Sequence, residues 1–189
     1  MSLSVSVNVV LDACVLYPAP IRDLLLHLAS EGLYRPKWSD QIQAEWVRNL
    51  LLNRPDLNSG QLQQTTTAMD RAFPEARVNA YEALISTLML PDADDRHVLA
   101  VAIHSQASLI VTANLKDFPA SYLRSFGIDA QHPDRFITQL IETNPADALR
   151  AFQAQVASLR KPPRTAHEVL ETLHRSGLIA TVNHLLTLL

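Results

Sequence analysis

Acidic side chains gather in one stretch of the sequence, between Pro91 and Phe118. Three acids open it within four residues, at Asp92, Asp94 and Asp95. An apolar segment with helical spacing follows, then a strand-like run, and a further aspartate closes the stretch. Carboxylates at a helix start and beyond the end of the next strand can meet, because that strand packs back against the helix. Such oxygen ligands suit a divalent cation such as Mg²⁺ or Mn²⁺.

The acids that open this stretch also have a purely structural interpretation. Asp92 suits an N-cap and Asp95 follows three residues later, which approaches a capping box that the helix dipole would favour. Asp95 differs from its neighbours because it shares the helical spacing of the apolar residues Val98 and Leu99. An inward carboxylate is costly unless it is paired or binds a metal. The spacing therefore favours Asp95 as a ligand and leaves Asp92 as a secondary candidate.

Two predicted strands end in polar residues. The unbroken apolar run Leu109–Thr112 is typical of a parallel strand covered on both faces, and Asp117 follows it. A first strand is predicted at Val5–Leu11 and ends at Asp12. Ligands of open parallel sheets bind beyond the carboxyl ends of strands, so both aspartates are expected at one sheet edge. An isolated aspartate such as Asp12, however, more often caps a turn.

Glu45 lies in a helix predicted at Asp40–Asn53, with Ser39 as its N-cap. Ile42 and Trp46 define the buried face of this helix. Glu45 falls at the edge of that face, so the pattern alone does not turn it inward. Taken by itself, it is typical of a solvated carboxylate.

The order of the remaining elements predicts an α/β fold, in which a parallel sheet is flanked by helices. Short strands are predicted at Ala76–Val78 and Ile128–Ala130. Helices are predicted at Ile21–Ser30, Gln61–Phe73, 95–106, Tyr122–Phe126 and Pro133–Thr143.

The sequence changes character at Asn144, where Asn-Pro forms a cap and first turn. Thr165 with Glu168 predicts a capping box. We therefore predict a main domain of residues 1–143 and a three-helix extension of residues 144–189. The three helices are expected at Ala146–Leu159, from Thr165 to near Gly177, and at Leu178–Leu188.

The composition favours a folded protein of a reducing compartment. Hydrophobic residues make up 48% of the chain, which is enough for a core, and one cysteine excludes an internal disulfide. The N-terminus lacks the basic segment of a signal peptide, and no apolar run is long enough to span a bilayer. We therefore expect a cytoplasmic protein without a membrane contact. The net charge of -3 is not the basic balance of a generic nucleic-acid binder.

Four motifs in this order resemble those of the PIN-domain proteins. The motifs are an aspartate ending the first strand (VVLDACVL), a glutamate in the second helix (QAEWVRNLL), an aspartate opening an apolar helix (DDRHVLAVAI), and the segment TANLKDF after the next strand. The resemblance covers residues 8 to about 142. Within the family, the chain resembles the VapC-type ribonuclease toxins of type II toxin–antitoxin systems, in the subgroup with a C-terminal helical extension.

The resemblance implies a PIN-like fold and a metal-dependent ribonuclease acting on phosphodiester bonds of single-stranded RNA. It also implies a homodimer and inhibition by a cognate antitoxin. The implied catalytic residues and ligands of Mg²⁺ or Mn²⁺ are Asp12, Glu45, Asp95 and Asp117. Secondary candidates are Asn114, Asp92 and Thr112. Candidates for RNA contact, each alone more typical of an ordinary surface charge, are Arg22, Arg48, Arg96 and Lys116.

Two positions depart from the family pattern. Cys14 stands where such proteins usually have Asn, and Asn114 stands where many have a fourth acid, which Asp117 would then supply. A haloacid-dehalogenase-type phosphatase is disfavoured, because it requires a second aspartate at the place of Cys14. A catalytically silent PIN module that binds RNA or a protein partner is the alternative that both departures favour. Cys14 itself fits a small core residue better than a nucleophile.

Overall fold

The computed structural model describes residues 7–189, so Val5 and Ser6 of the predicted first strand lie outside the described residues. The strands are β1 (Asn8–Leu11), β2 (Arg35–Lys37), β3 (Leu109–Val111) and β4 (Asp129–Gln131). The helices are α1 (Ala13–Leu16), α2 (Ala19–Ser30), α3 (Asp40–Asn53), α4 (Ser59–Ala72), α5 (Glu82–Ile85), α6 (Arg96–His104), α7 (Ala120–Leu123), α8 (Pro133–Thr143), α9 (Pro145–Ser158), α10 (Ala166–Arg175) and α11 (Ile179–Leu188). Short 3-10 turns occupy Ala93–Asp95, Leu115–Asp117 and Arg124–Phe126.

The four strands form one parallel sheet in the order β2-β1-β3-β4. In the central pair, Val10 lies beside Ile110, and both side chains are fully buried. Neighbouring residues of a strand point to opposite faces, and Val9 is as fully buried as Val10, so both faces of β1 are covered. Burial on both faces explains the unbroken apolar sequence. The predicted α/β fold is therefore confirmed.

The chain divides into two compact units. The sheet unit contains Val7–Tyr17 and Arg35–Gln131, and the helical unit contains Pro18–Tyr34 and His132–Leu189. The helical unit thus includes α2 and α8 in addition to α9, α10 and α11. The predicted boundary between residues 143 and 144 stays a prediction.

Two features of the sheet unit differ from expectation. β2 was not predicted, because it is only three residues long and Pro36 lies at its centre. The strand predicted at Ala76–Val78 is wrong, since a single backbone bridge joins Arg77 to Trp38 there. Residue 77 lies between a turn at residues 74–76 and a bend at residue 80, so the extended segment is too short for more than one paired residue.

The predicted helix over residues 95–106 is divided into a 3-10 turn and α6. Val98 and Leu99 are fully buried, and Asp95 is half-buried at the start of the same stripe. The stripe directs α6 onto the sheet and brings its acidic first turn to the strand ends. Among residues 7–189, no helix has the length and apolar character needed to cross a membrane.

The helical unit is held by apolar packing and by satisfied helix ends. Tyr34 packs edge-to-face on Phe136, with ring centroids 5.1 Å apart. The predicted capping box is confirmed, since Thr165 N donates to Glu168 Oε2 at 2.8 Å and Glu168 N donates to Thr165 Oγ1 at 3.2 Å. Asp134 closes the start of α11 by accepting hydrogen bonds from two of its first backbone N–H groups.

Candidate metal centre

Three carboxylates come together beyond the carboxyl end of β3. Asp92, Asp95 and Asp117 each offer one oxygen, and these oxygens all lie within 4.8 Å of one another. Asp92 precedes and Asp95 ends the 3-10 turn before α6, and Asp117 ends the 3-10 turn after β3. This acidic group is the one cluster of potential metal ligands in the described part of the chain.

Asp95 is the member of the acidic group with an unmatched oxygen. Its Oδ2 is buried and has no hydrogen-bond partner among the described residues. Its pKa is raised to about 7, mainly by burial and to a smaller extent by the nearby negative charges of Asp12, Asp92, Asp117 and Glu45. A carboxylate in this environment requires a proton or a cation to offset the repulsion.

Asp12, directly after β1, is held by three donors. Its Oδ1 accepts a hydrogen bond from Ala13 N at 2.7 Å. Its Oδ2 accepts from Thr112 Oγ1 at 2.7 Å and from Cys14 Sγ at 3.2 Å. Asp12 is only 5% exposed, and burial raises its pKa. The donors fix the carboxylate while leaving it part of its accepting capacity.

Cys14 contributes a protonated thiol to this network. Burial, with the negative charge of Asp12, raises the thiol pKa to about 12. Its sulfur also accepts a hydrogen bond from Ala113 N at 3.3 Å. A thiol in this state is not a nucleophile, so its role is that of a weak donor to Asp12. The sequence analysis missed this contact.

Asp117 is oriented by the residue that interrupts the expected acidic pattern. Asn114 Nδ2 donates a hydrogen bond to Asp117 Oδ2. Asn114 is itself anchored, because its backbone N donates to Thr112 Oγ1 at 3.0 Å. Thr112 therefore connects the supports of Asp12 and Asp117.

Glu45 projects from α3 and meets a histidine that the sequence analysis did not identify. Its Oε2 lies 3.2 Å from His97 Nε2. His97 is the second residue of α6 and is only 2% exposed. A histidine within the otherwise apolar run HVLAVAI was the available signal, because a buried ring requires a polar partner.

The predicted ligand set is partly assembled in the acidic group. Asp95 and Asp117 belong to the group, and Asp92 joins them, whereas Asp12 and Glu45 lie outside it. The charges of Asp12 and Glu45 nevertheless contribute to the raised pKa of Asp95. That Asp12, Glu45, Asp95 and Asp117 together hold the metal stays a prediction.

The four candidates for RNA contact have different environments. Arg48 and Lys116 are exposed, and Arg96 is half-buried with an Nε that has no hydrogen-bond partner among residues 7–189. Arg22 belongs to the helical unit, where it is 7% exposed and burial lowers its pKa. Because Arg22 is buried, it is the least suitable of the four residues for a contact with RNA.

The acidic group fits a hard divalent cation. Its members offer only carboxylate oxygens, which are the ligands that Mg²⁺ and Mn²⁺ prefer. The unmatched buried Oδ2 of Asp95 is the kind of atom that a bound cation would satisfy.

Known protein families match both parts of the chain. Residues 8–116 match the family described as PIN domain, and residues 133–187 match the one described as VapC50 C-terminal domain. A Mycobacterium tuberculosis protein named "Putative ribonuclease VapC50" is 38% identical over 79 residues, which cover 42% of this chain and 47% of that protein. The match therefore spans about half the length of this curated relative. No solved structure matches the chain.

Proposed function

The chain belongs to the PIN-domain family, and from this premise we propose that it is a metal-dependent endoribonuclease acting on single-stranded RNA. The observation that carries the proposal is the acidic group, in which Asp95 keeps a buried oxygen without a donor. The named ribonuclease relative supports the same reaction class.

The proposed ligands of Mg²⁺ or Mn²⁺ are Asp12, Glu45, Asp95 and Asp117, with Asp92 as an additional ligand. When bound, such an ion would lower the pKa of water and offset the charge of the scissile phosphate. Without this positive charge, five carboxylates would repel an RNA backbone.

The role of the neighbouring polar residues is to fix these ligands. Thr112 orients Asp12, and Asn114 orients Asp117, through the hydrogen bonds described above. Preorganised carboxylates lose less conformational entropy when they bind an ion. Thr112 and Asn114 are therefore proposed as positioning residues.

Three cations of the sheet unit are proposed to contact the RNA backbone. Lys116 lies one residue from Asp117, Arg96 one residue from Asp95, and Arg48 is exposed on α3. Phosphate contacts of this kind position a nucleic acid without reading its sequence. Arg22 stays the weakest of the four candidates because it is buried.

We further propose that the protein is the toxin of a type II toxin–antitoxin pair. Its PIN domain is followed by a region that matches the VapC50 C-terminal domain, and VapC50 is the name of the ribonuclease relative. A cognate antitoxin protein, a homodimer and a cytoplasmic location follow from this assignment.

An RNA-cleavage assay with Mg²⁺ or Mn²⁺ tests the enzymatic proposal. We expect Asp12→Asn and Asp95→Asn to lower the cleavage rate by about 100-fold or more, in the range typical of lost metal-site groups. Asp94→Asn is the matched control, because Asp94 is a neighbouring exposed acid outside the acidic group. Unchanged cleavage in both test variants would refute the proposed ligands.

The second candidate function is a catalytically silent PIN module that binds RNA or a protein partner. The weak thiol donor of Cys14 and the uncharged Asn114 favour it. RNA binding without divalent-dependent cleavage, over a broad panel of single-stranded RNAs, would select this function over the nuclease.

A further inference from the structure

A buried histidine supports one of the carboxylates near the acidic group. The side chain of His97 is 3% exposed, whereas that of Glu45 is 28% exposed. Their contact, Nε2 to Oε2 at 3.2 Å, joins the second residue of α6 to the middle of α3. Glu45 therefore has one anchored oxygen and a partly open side chain.

The direction of this hydrogen bond follows from the chemistry of the two groups. An ionised carboxylate can only accept, so His97 Nε2 must carry the proton and donate. His97 Nδ1 is buried and has no partner in the described part of the chain. Among residues 7–189, Glu45 is thus the one hydrogen-bonding partner of this ring.

This contact holds the end of a side chain that is only partly exposed. Glutamate has three rotatable side-chain bonds, and no other hydrogen bond to the Glu45 carboxylate occurs within residues 7–189. The imidazole, in contrast, is almost completely buried in the first turn of α6. The more deeply buried partner therefore sets the position of the more exposed one.

We propose that His97 is a positioning residue, whose Nε2–H holds one oxygen of Glu45 and leaves the other oxygen available to the metal ion. The proposal rests on the proposed function, because it requires Glu45 to be a ligand. Carboxylate ligands are commonly held by such outer hydrogen bonds, and their loss weakens metal affinity by about 10- to 100-fold. A link that only fastened α6 to α3 would leave metal affinity unchanged.

Two substitutions that differ by one methylene separate these roles. His97→Gln can place an amide nitrogen near the position of Nε2, whereas the shorter His97→Asn places it near Nδ1, away from Glu45. We expect His97→Asn to weaken Mn²⁺ binding about 10-fold or more and His97→Gln to bind nearly as the wild type does. Binding is measured on the full chain without RNA, from the electron paramagnetic resonance signal of free Mn²⁺.

A double-mutant cycle tests whether His97 acts through Glu45. Glu45→Gln alone should weaken Mn²⁺ binding, and adding His97→Asn should weaken it little further. In cleavage assays, His97→Asn should raise the Mn²⁺ concentration for half-maximal rate more than it lowers the rate at saturating Mn²⁺. Circular dichroism confirms that each variant is folded.

Three results would overturn the inference. They are wild-type Mn²⁺ affinity in folded His97→Asn, equal weakening by Asn and Gln, and an undiminished effect of His97→Asn in the Glu45→Gln background. If the wild type binds Mn²⁺ and cleaves RNA while the His97 variants behave normally, only the inference fails. If the wild type binds no Mn²⁺, the proposed metal site fails with it.

Discussion

The same sequence pattern produces two different structures in the two units. Thr165 with Glu168, in the helical unit, forms a complete capping box. Asp92 with Asp95, in the sheet unit, has the same spacing but forms only half of the box. Asp92 Oδ1 accepts a hydrogen bond from Asp94 N at 2.9 Å, whereas the side chain of Asp95 accepts none from Asp92 N among residues 7–189. The acid at the third position is thus satisfied in one unit and unsatisfied in the other.

The presence or absence of hydrogen-bond donors is accompanied by opposite pKa shifts in Glu168 and Asp95. The hydrogen bond from the Thr165 backbone lowers the pKa of Glu168, whereas burial and neighbouring charges raise that of Asp95. Asp134 in the helical unit also has donors for its oxygens, which accept hydrogen bonds from Ala180 N at 3.0 Å and Thr181 N at 2.8 Å. Acids matched by donors maintain the fold, and an acid without them is available for binding.

The largest difference between the two kinds of acid should be seen in how much added Mn²⁺ stabilises the folded protein. An ion that binds only the folded state at 100 times its Kd stabilises that state by about 2.7 kcal/mol. We expect this gain in wild type and in Asp134→Ala, and its loss in Asp95→Asn. Urea unfolding with and without Mn²⁺ measures the gain, and an undiminished gain in Asp95→Asn would place the ion elsewhere.

A smaller effect is expected from removing a satisfied acid. Asp134→Ala should lower the free energy of unfolding by about 1–2 kcal/mol, because it exposes two N–H groups at the start of α11. Asp134→Asn keeps an acceptor and should lose less. Urea unfolding without added metal measures both variants, and unchanged stability in the alanine variant would contradict the capping role.

The smallest effect is a pH dependence of the metal-free protein. Asp95 binds its proton more tightly when folded, with a pKa of about 7 against an ordinary 3.8. Between these values the unfolded state loses the proton first, so stability should fall as pH rises from about 4 to 7 and then level off. Partial exposure reduces the amplitude. The fall should be shallower in Asp95→Asn when both proteins are unfolded in a metal chelator, and equal slopes would contradict the raised pKa.

Periodicity predicted much of the fold because it reports which face of an element is buried. It located β3 and singled out Asp95 from its neighbours, whereas the bounds of α3 were predicted from the N-cap Ser39 and the stop before Pro55. It could not predict β2, because this strand has only three residues and Pro36, which is unfavourable in strands, lies at its centre. The prediction of a strand at Ala76–Val78 was wrong, because β-propensity does not show whether a partner strand continues beside the segment.

Parts of the candidate site depend on contacts that no local pattern contains. The sequence offered Asp92 as a secondary ligand, and its meeting with Asp117 depends on the path of the chain after β3. The pairing of His97 with Glu45 joins residues that are 52 positions apart. Helical spacing shows that a side chain points inward, but it does not show which side chain it meets.

The hydrogen bond between Asp12 and Thr112 has a consequence for synthesis, because its partners are 100 residues apart in the sequence. During translation, Asp12 leaves the ribosome long before Thr112 and Asp117 exist. Contacts of such large sequence separation form slowly and late in folding. The acidic group itself needs Asp117, so it can assemble only after the codons for β3 and the turn that follows it have been translated, which postpones any cleavage by the new chain.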